Sequence, residues 1–266
     1  MNLIEAFSRD QMRRGLSPAT IDKRRRTLEP FAREPGLGAT REQVEQFLDD
    51  RHLSAKSRAV YLSHFSAFYR WACEEGHLTE DPTTKIKPPK VGKRLPRPVS
   101  ETELNELLDH ATPRLRAMLL LGALAGLRCM EIAGLNWEHV LPEGAVRVIG
   151  KGNQERLIPL HVDLIEALQA LSVATRGPVF CQRDGKTRMT PDGISHELGA
   201  LIHGVGIGGG GHRLRHAFAT NLYQHTLDIV LVRDLMGHAD IATTAIYAAA
   251  DQSKAADAIA GLRKSA

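Results

Sequence analysis

The sequence predicts a mainly α-helical protein with one small β-sheet or hairpin, divided into a helical N-terminal domain and an α+β domain. Three observations lead to this fold class. Apolar residues recur at helical spacing along most of the chain, one short stretch instead reads as paired strands, and a proline-rich segment separates two parts that can each bury a core. We place the boundaries at residues 1–81 for the N-terminal domain, 82–98 for the linker and 99–266 for the second domain.

The N-terminal domain is predicted to be a small bundle of four helices. Each helix has an apolar stripe and a recognisable start or stop signal. In chain order the signals are an apolar stripe at Leu3, Ile4, Phe7 and Met12, an N-cap followed by proline at Ser17 and Pro18, a capping box at Thr40 and Gln43, and a helix from Ser57 to Glu75 that stops at Gly76. Four helices in about 80 residues are sufficient for a bundle.

The linker carries five prolines and six lysines or arginines between Asp81 and Pro98. Proline removes a backbone donor and cannot continue a helix, so we expect an extended, semi-rigid and cationic segment.

The second domain is predicted to contain several helices and a hairpin. A capping box at Ser100 and Glu103 begins a helix that runs through His110, and Thr112–Pro113 begins a strongly apolar helix that ends near Gly126. Residues 145–149 and 154–160 read as two short strands around the glycine-rich turn 150–153. The remainder is mostly helical, interrupted by the glycine run 204–211 and by Gly237.

Charge is distributed unevenly along the 266 residues, whose net charge is +4. Residues 1–98 contain 19 basic and 13 acidic side chains, a net of +6, whereas residues 99–266 contain 16 and 18, a net of −2. A basic N-terminal part favours a polyanionic partner there, although a solvated basic surface explains the charge equally well.

The composition argues against a membrane or disulfide-rich protein. The longest apolar run, 117–127, is about half the roughly 20 residues that cross a bilayer, and the N-terminus lacks a signal-peptide pattern. The three cysteines share no CxxC spacing. We therefore expect a soluble, cytoplasmic protein with reduced thiols and no membrane partner.

Two patterns in the second domain fit common ligand sites poorly. Residues 204–209 read GVGIGG and match GxGxxG, but that fingerprint follows a strand, whereas Pro191–His203 is predicted to be helical. His212 and His216 could share a metal on one helical face, but no third ligand stands at a recognisable spacing. We expect a flexible loop at 204–209 and neither a nucleotide nor a metal.

A histidine and an arginine three residues apart, His212 and Arg215, are better suited to a phosphate. Arginine offers a permanently charged planar fork, and histidine can exchange a proton near neutral pH. Two other segments strengthen this hypothesis. Residues 126–131 read GLRCME, and residues 237–238 read GH, followed by a threonine pair and by Tyr247.

Together these motifs resemble the fingerprint of the tyrosine recombinase (phage integrase) family, in its minimal two-domain type without an arm-binding domain. That fingerprint is an Arg in a GLRxxE context, a hairpin Lys, HxxR at a helix start, GH followed by a TT pair, and a Tyr nine residues after that His. The six matching positions are Arg128, Lys151, His212, Arg215, His238 and Tyr247. The resemblance implies that 1–81 is a core-binding domain and that 99–266 is a catalytic domain with a C-terminal tail.

The resemblance also implies a mechanism. Tyr247 would attack a DNA phosphodiester, form a 3′-phosphotyrosyl bond and release a 5′-hydroxyl. His212 would accept the tyrosine proton, and Lys151 would protonate the leaving oxygen.

The remaining matched residues would act on the phosphate itself. Arg128 and Arg215 would bind the non-bridging oxygens, and His238 would add a hydrogen bond. Glu131 would orient Arg128 from behind, although a carboxylate on a helix surface is the alternative. No metal or other cofactor is required, since the covalent bond conserves the phosphodiester energy.

The implied partner is double-stranded DNA with an inverted-repeat core site. Basic residues expected to meet its phosphates are Arg13, Arg14, Lys23, Arg24, Arg25, Arg26, Lys56 and Arg58 of the N-terminal domain, and Lys93 and Arg94 of the linker. In this family the C-terminal tail docks on a neighbouring protomer, so a homotetramer on DNA is expected, with an accessory directionality protein as a further partner. We expect the protein to associate with the nucleoid.

Several alternatives remain open at this point. Integration or excision of a phage or mobile element is the preferred role, and Xer-like resolution of chromosome or plasmid dimers is the alternative. A type IB topoisomerase shares the chemistry, but the HxxR and GH contexts favour a recombinase. A non-catalytic DNA-binding protein would share the charge asymmetry without needing all six residue types, and a zinc hydrolase would use His212 and His216.

Overall fold

A computed structural model describes residues 2–92, 97–150, 154–172, 174–238 and 244–245. The chain divides into two compact units, residues 1–93 and 94–266. The first contains α1 Leu3–Arg13, α2 Pro18–Arg33, α3 Arg41–Asp50 and α4 Ala55–Glu74; the second contains α5 Glu101–Asp109, α6 Pro113–Ala123, α7 Cys129–Gly134, β1 Val140–Leu141, β2 Ala145–Ile149, β3 Glu155–Pro159, α8 Val162–Gln169, α9 Pro191–Gly204, α10 His212–Thr226 and α11 Ile229–Met236. The predicted fold class, mainly helical with a small sheet, is confirmed.

The helices of the N-terminal unit begin at the residues that can cap them. Ser17 accepts a hydrogen bond from the Thr20 backbone, and Thr40 forms the predicted capping box with Gln43. The start predicted for α4 at Ser57 is wrong by two residues. Ser54 accepts from the Ser57 backbone at 3.2 Å and so begins the helix at residue 55.

Aromatic side chains fill the core of this unit. Phe31 lies at the centre, with ring centroids 4.4 Å from Phe65 and 5.0 Å from Phe47. Phe7 of α1 meets Phe68 of α4 edge to face at 5.5 Å, which joins the first and last helices.

The first part of the predicted linker departs from an extended chain. Residues 82–85 form a turn, in which the Asp81 carboxylate accepts hydrogen bonds from the backbone and hydroxyl of Thr83 at 2.8 and 2.6 Å. Ile86 then packs into the aromatic core. The prediction of an extended segment missed this turn because it weighed only the prolines, whereas the Asx geometry of Asp81 and the burial of Ile86 fold the chain back.

The second unit is built around α6, which is buried along most of its length between α8, α9 and α10. Gly122 allows α10 to approach closely, since a Cβ at this position would lie 2.9 Å from the Cβ of Leu214. The predicted end of the helix near Gly126 is three residues too late. Gly126 instead adopts a φ of +64° in the turn that leads to α7.

The three strands form one antiparallel sheet in the order β1-β2-β3. The predicted hairpin pairs Ile149 with Glu155, and the Gly150 backbone donates to Gln154 at 2.8 Å. The two-residue strand β1 was not predicted, because two residues carry no periodic signal. None of the helices in the described part of the chain has the length and apolar composition that a membrane crossing requires.

Candidate active site

Glu131 is the centre of the predicted site. Its side chain is 2% exposed, and both of its oxygens accept hydrogen bonds. Oε2 accepts from the Arg128 backbone at 2.8 Å, and Oε1 accepts from Arg128 Nη1 at 2.9 Å. Glu131 therefore fixes both the start of α7 and the guanidinium that precedes it.

Arg215 approaches the same carboxylate from α10. Its side chain is 1% exposed, and Nη1 lies 3.5 Å from Glu131 Oε2. The guanidinium also donates to the carbonyl oxygens of Gly126 and Met236. It thus joins the turn before α7 to the end of α11, and these contacts hold its charge at one place inside the protein.

His238 follows α11 through Gly237, which has a φ of +61° and ends the helix in the left-handed conformation. Arg128 Nη2 donates to the Gly237 carbonyl at 3.4 Å. His238 Nδ1 lies 2.9 Å from Oγ1 of Thr244, a residue with no exposed surface. This contact fixes the plane of the imidazole ring.

The pKa of His238 is lowered to about 4 by burial and by the positive charges of Arg215, Arg128, Arg156 and His212. The ring is therefore neutral at pH 7 in the absence of a ligand. A neutral imidazole that engages Thr244 through Nδ1 can offer an N–H at Nε2 when the threonine hydroxyl donates.

His212 is the first residue of α10, where Gly211 provides no side-chain cap. Its ring meets that of His216 edge to face at 4.6 Å. Burial and the charges of His212 and Arg215 lower the pKa of His216 to about 4. His212 is therefore an exposed residue whose ring lies against a neutral histidine.

Arg156 is a site residue that sequence reasoning missed. Its two Nη atoms donate to the two oxygens of Glu131 at 3.0 and 3.1 Å, and Nε donates to the Leu235 carbonyl at 2.8 Å. The signal was present in the strand pattern, because Arg156 shares a face of β3 with buried Ile158. A charged residue at a core-facing position requires a buried partner.

Three guanidinium groups therefore surround one buried carboxylate. Burial alone would raise the pKa of Glu131, but hydrogen bonds from Arg156 and the Arg128 backbone, with the charges of Arg156 and Arg215, bring the pKa below its usual value. The carboxylate is ionised at neutral pH and neutralises one of the three cations. Two positive charges remain, which suits a phosphodiester or another anion at the surface of the cluster.

Four of the six predicted catalytic residues are thus brought together: Arg128, His212, Arg215 and His238. Lys151 and Tyr247 lie outside the described residues, as do Lys93, Arg94 and the C-terminal tail. Gly150, just before Lys151, lies against the cluster, since a Cβ at this position would be 3.6 Å from Arg156 Nη1.

The residues of the N-terminal unit predicted to contact DNA lie on α1, α2 and α4 or, for Arg14, directly after α1, and most of them have partners within the unit. Arg25 and Arg26 pair with Asp22 on α2, and Arg24 donates to the buried Gln11 at 2.7 Å. Arg14 pairs with Asp10 and Glu74, and Arg58 with Asp49. In the described part of the chain, Arg13, Lys23 and Lys56 form no ion pair; DNA contact by all eight remains a prediction.

Two further sequence patterns were considered as ligand sites, the GxGxxG match at 204–209 and the histidine pair at 212 and 216. Gly204 is the last residue of α9, so the GxGxxG match follows a helix, as the sequence predicted. Among the described residues, no group of three or more histidine, cysteine or acidic side chains is arranged to hold a metal ion.

Known proteins resemble this chain in sequence and in fold. The sequence profile of the phage integrase family matches residues 97–254. Tyrosine recombinase XerD of Pseudomonas aeruginosa is 35% identical over 246 residues, which cover 86% of this chain and 81% of that protein. The solved integrase from mycobacterium phage Brujita is 32% identical with a TM-score of 0.51, covering 89% of this chain and 83% of that one. The fold is also shared with a lambda integrase dimer bound to a COC′ core site, at a TM-score of 0.74 and 19% identity, covering 92% of this chain and 75% of that chain.

Proposed function

This chain belongs to the phage integrase family and is a site-specific tyrosine recombinase, and we propose that it cleaves and rejoins duplex DNA through Tyr247. The phenol oxygen attacks the phosphorus, the bond from phosphorus to the 5′-oxygen breaks, and a 3′-phosphotyrosyl bond forms. The tyrosine proton passes to His212, and Lys151 gives a proton to the leaving 5′-oxygen. Rejoining reverses these steps with a 5′-hydroxyl from another strand.

The observation that carries this proposal is the convergence of Arg128 and Arg215 on Glu131, beside His238. The attack builds negative charge on the non-bridging oxygens, and fixed cations stabilise that charge without reorganising. His238 is neutral before DNA binds, and a phosphate beside it would add a hydrogen-bond acceptor for Nε2. These features support phosphoryl transfer over a purely DNA-binding role, which needs no buried carboxylate behind its arginines.

A trapping experiment tests this chemistry and finds the target site at the same time. The protein is incubated with a pool of nicked duplexes whose inverted-repeat arms are randomised, and covalent adducts are isolated under denaturing conditions and sequenced. We expect adducts enriched in one core site with wild type and none with Tyr247→Phe. Tyr223→Phe, which alters a tyrosine of α10, is the matched control and should retain the adduct. A folded wild type that captures no duplex would overturn the proposal.

The proposed biological role is integration or excision of a phage or mobile element, with the protein acting in the cytoplasm on nucleoid DNA. The assembly would be a homotetramer on an inverted-repeat core site, joined through the tail 248–266, with an accessory directionality protein. The likeness to XerD supports the alternative, resolution of chromosome or plasmid dimers. Captured sites that flank a mobile segment would support the first role, and one site per replicon would support the second.

A further inference from the structure

Arg156 is placed to control the geometry of the site without reaching the substrate. Its side chain is 11% exposed, and all three of its nitrogens donate inward, two to Glu131 and one to the Leu235 carbonyl. A guanidinium that is bidentate to a carboxylate is held in one plane, and a lysine could not reproduce that geometry.

The two acceptors of Arg156 belong to the two segments that deliver the catalytic groups. Glu131 holds the backbone and guanidinium of Arg128 and faces Arg215. Leu235 lies in the last turn of α11, two residues before the glycine that leads into His238. A single side chain from β3 therefore fixes the distance between the arginine pair and the histidine.

Gly237 shows how closely the guanidinium lies under this turn. A Cβ on Gly237 would be 2.9 Å from Arg156 Nη1 and 3.1 Å from Cζ. The glycine of the GH motif thus satisfies two requirements, a left-handed φ of +61° and space for the planar guanidinium. The strand that carries Arg156 also begins at Glu155, shortly after Lys151 in the chain.

We propose that Arg156 is a positioning residue of the recombination reaction, which holds Glu131 and the end of α11 so that Arg128, Arg215 and His238 meet one phosphate. This inference rests on the proposed function. The charge of Arg156 is paired with Glu131 inside the protein. Substitution of Arg156 should therefore slow cleavage far more than it weakens DNA binding. Misplacement of reacting groups by about 1 Å can reduce a rate about 10²-fold.

The test compares Arg156→Gln, Arg156→Lys and the control Arg147→Gln, which removes one positive charge from the neighbouring strand β2. Single-turnover cleavage of the trapped duplex and the DNA dissociation constant are measured for each folded variant. We expect cleavage to fall about 10²-fold in Arg156→Gln and less in Arg156→Lys, with the dissociation constant changed by less than about threefold. Arg147→Gln should cleave like wild type.

Two further measurements separate positioning from general stability. Combining Glu131→Gln with Arg156→Gln should slow cleavage by less than the product of the single effects, since Arg156 acts through Glu131. NMR titration of His238 should show a higher pKa in Arg156→Gln than in wild type, because one of its cationic neighbours is removed. If Arg156→Gln does not fold, Arg156→Lys decides the cleavage result.

Cleavage at the wild-type rate in a folded Arg156 variant, or equal losses in binding and cleavage, would contradict the inference. If wild type itself formed no adduct, the proposed function would fail, whereas the histidine titration would still report whether Arg156 acts on the site.

Discussion

The two units use the same charged residue types for opposite purposes. In the N-terminal unit, ion pairs such as Arg25 with Asp22 and Arg41 with Glu45 lie on exposed helix surfaces, three or four residues apart. In the second unit, Arg215 and Glu131 are 1% and 2% exposed and come from different helices. Exposed pairs of the first kind are screened by solvent and contribute little to stability. The buried arginines cannot leave Glu131 without a cost in free energy, so their guanidinium groups are held in fixed positions.

The largest expected effect comes from removing the shared carboxylate. Glu131→Gln leaves three guanidinium groups around a neutral amide, and breaking a buried pair in this way typically destabilises a protein by about 3–5 kcal/mol. Urea unfolding measures the change, and Asp22→Asn on the exposed face of α2 is the matched control, expected to change stability far less because its ion pairs are screened by solvent. Equal losses from the two substitutions would show that burial does not distinguish the clusters.

The second comparison between the units replaces one glycine in each by alanine and compares the losses of stability. Gly126 and Gly15 have φ values of +64° and +75°, but a Cβ at Gly126 would lie 2.4 Å from the Phe218 ring, whereas nothing lies within 4 Å of one at Gly15. Gly15→Ala should therefore cost only the left-handed conformation, about 1–2 kcal/mol. Gly126→Ala should cost more and displace the carbonyl that accepts from Arg215, so thermal unfolding and cleavage should both suffer. Equal thermal shifts would argue against the close approach of Phe218.

The dependence of stability on pH follows from the buried histidines of the second unit. His238 and His216 have pKa values of about 4 in the folded protein, below the ordinary value of 6.5. The unfolded chain thus binds more protons between these values, so stability is full above pH 6.5 and falls as the pH drops toward 4. Glu131, with its lowered pKa, adds a further loss only at lower pH.

Urea unfolding midpoints measured between pH 7 and 4.5 give the slope of stability against pH. His238→Gln should make this slope shallower, because it removes one of the two histidines whose pKa is lowered in the folded protein. A slope that is the same in wild type and His238→Gln would contradict the assignment of the low pKa to burial beside the arginines.

The smallest expected effect is at Leu227, the residue that ends α10. It adopts a φ of +55°, a conformation that favours glycine, and its side chain is 61% exposed. Leu227→Gly should relieve the backbone strain but increase the entropy of the unfolded chain, for a net stabilisation of up to about 1 kcal/mol. His52→Gly, at a φ of 47° in the N-terminal unit, should behave similarly. Destabilisation by both substitutions, measured by thermal melting, would show that neither backbone is strained.

Local signals predicted much of the fold because they act within a few residues. The capping boxes at Thr40 and Ser100 and the hairpin around residues 150–153 are of this kind. The strand β1 was missed because its two residues carry no periodic signal, and the turn after Asp81 was missed because it also depends on the burial of Ile86 in the aromatic core. Sequence patterns report such tertiary contacts only weakly.

The same distinction applies to the candidate site. Arg128, Arg215 and His238 stand in motifs that resemble the family fingerprint, so the resemblance was sufficient to name them as candidates. Arg156 belongs to none of those motifs, and its partners Glu131 and Leu235 are 25 and 79 residues away in the chain. Only the folded structure shows that three guanidinium groups share one buried carboxylate.

The most direct test of this account identifies the residue that becomes joined to DNA. Wild-type protein is trapped on its captured core site, digested with protease and nuclease, and the modified peptide is sequenced by mass spectrometry. The account predicts a 3′-phosphonucleotide on Tyr247 of the wild-type protein. In Glu131→Gln the amount of this modified peptide should be greatly reduced. A nucleotide joined to any other residue, or no modified peptide from folded wild-type protein, would contradict it.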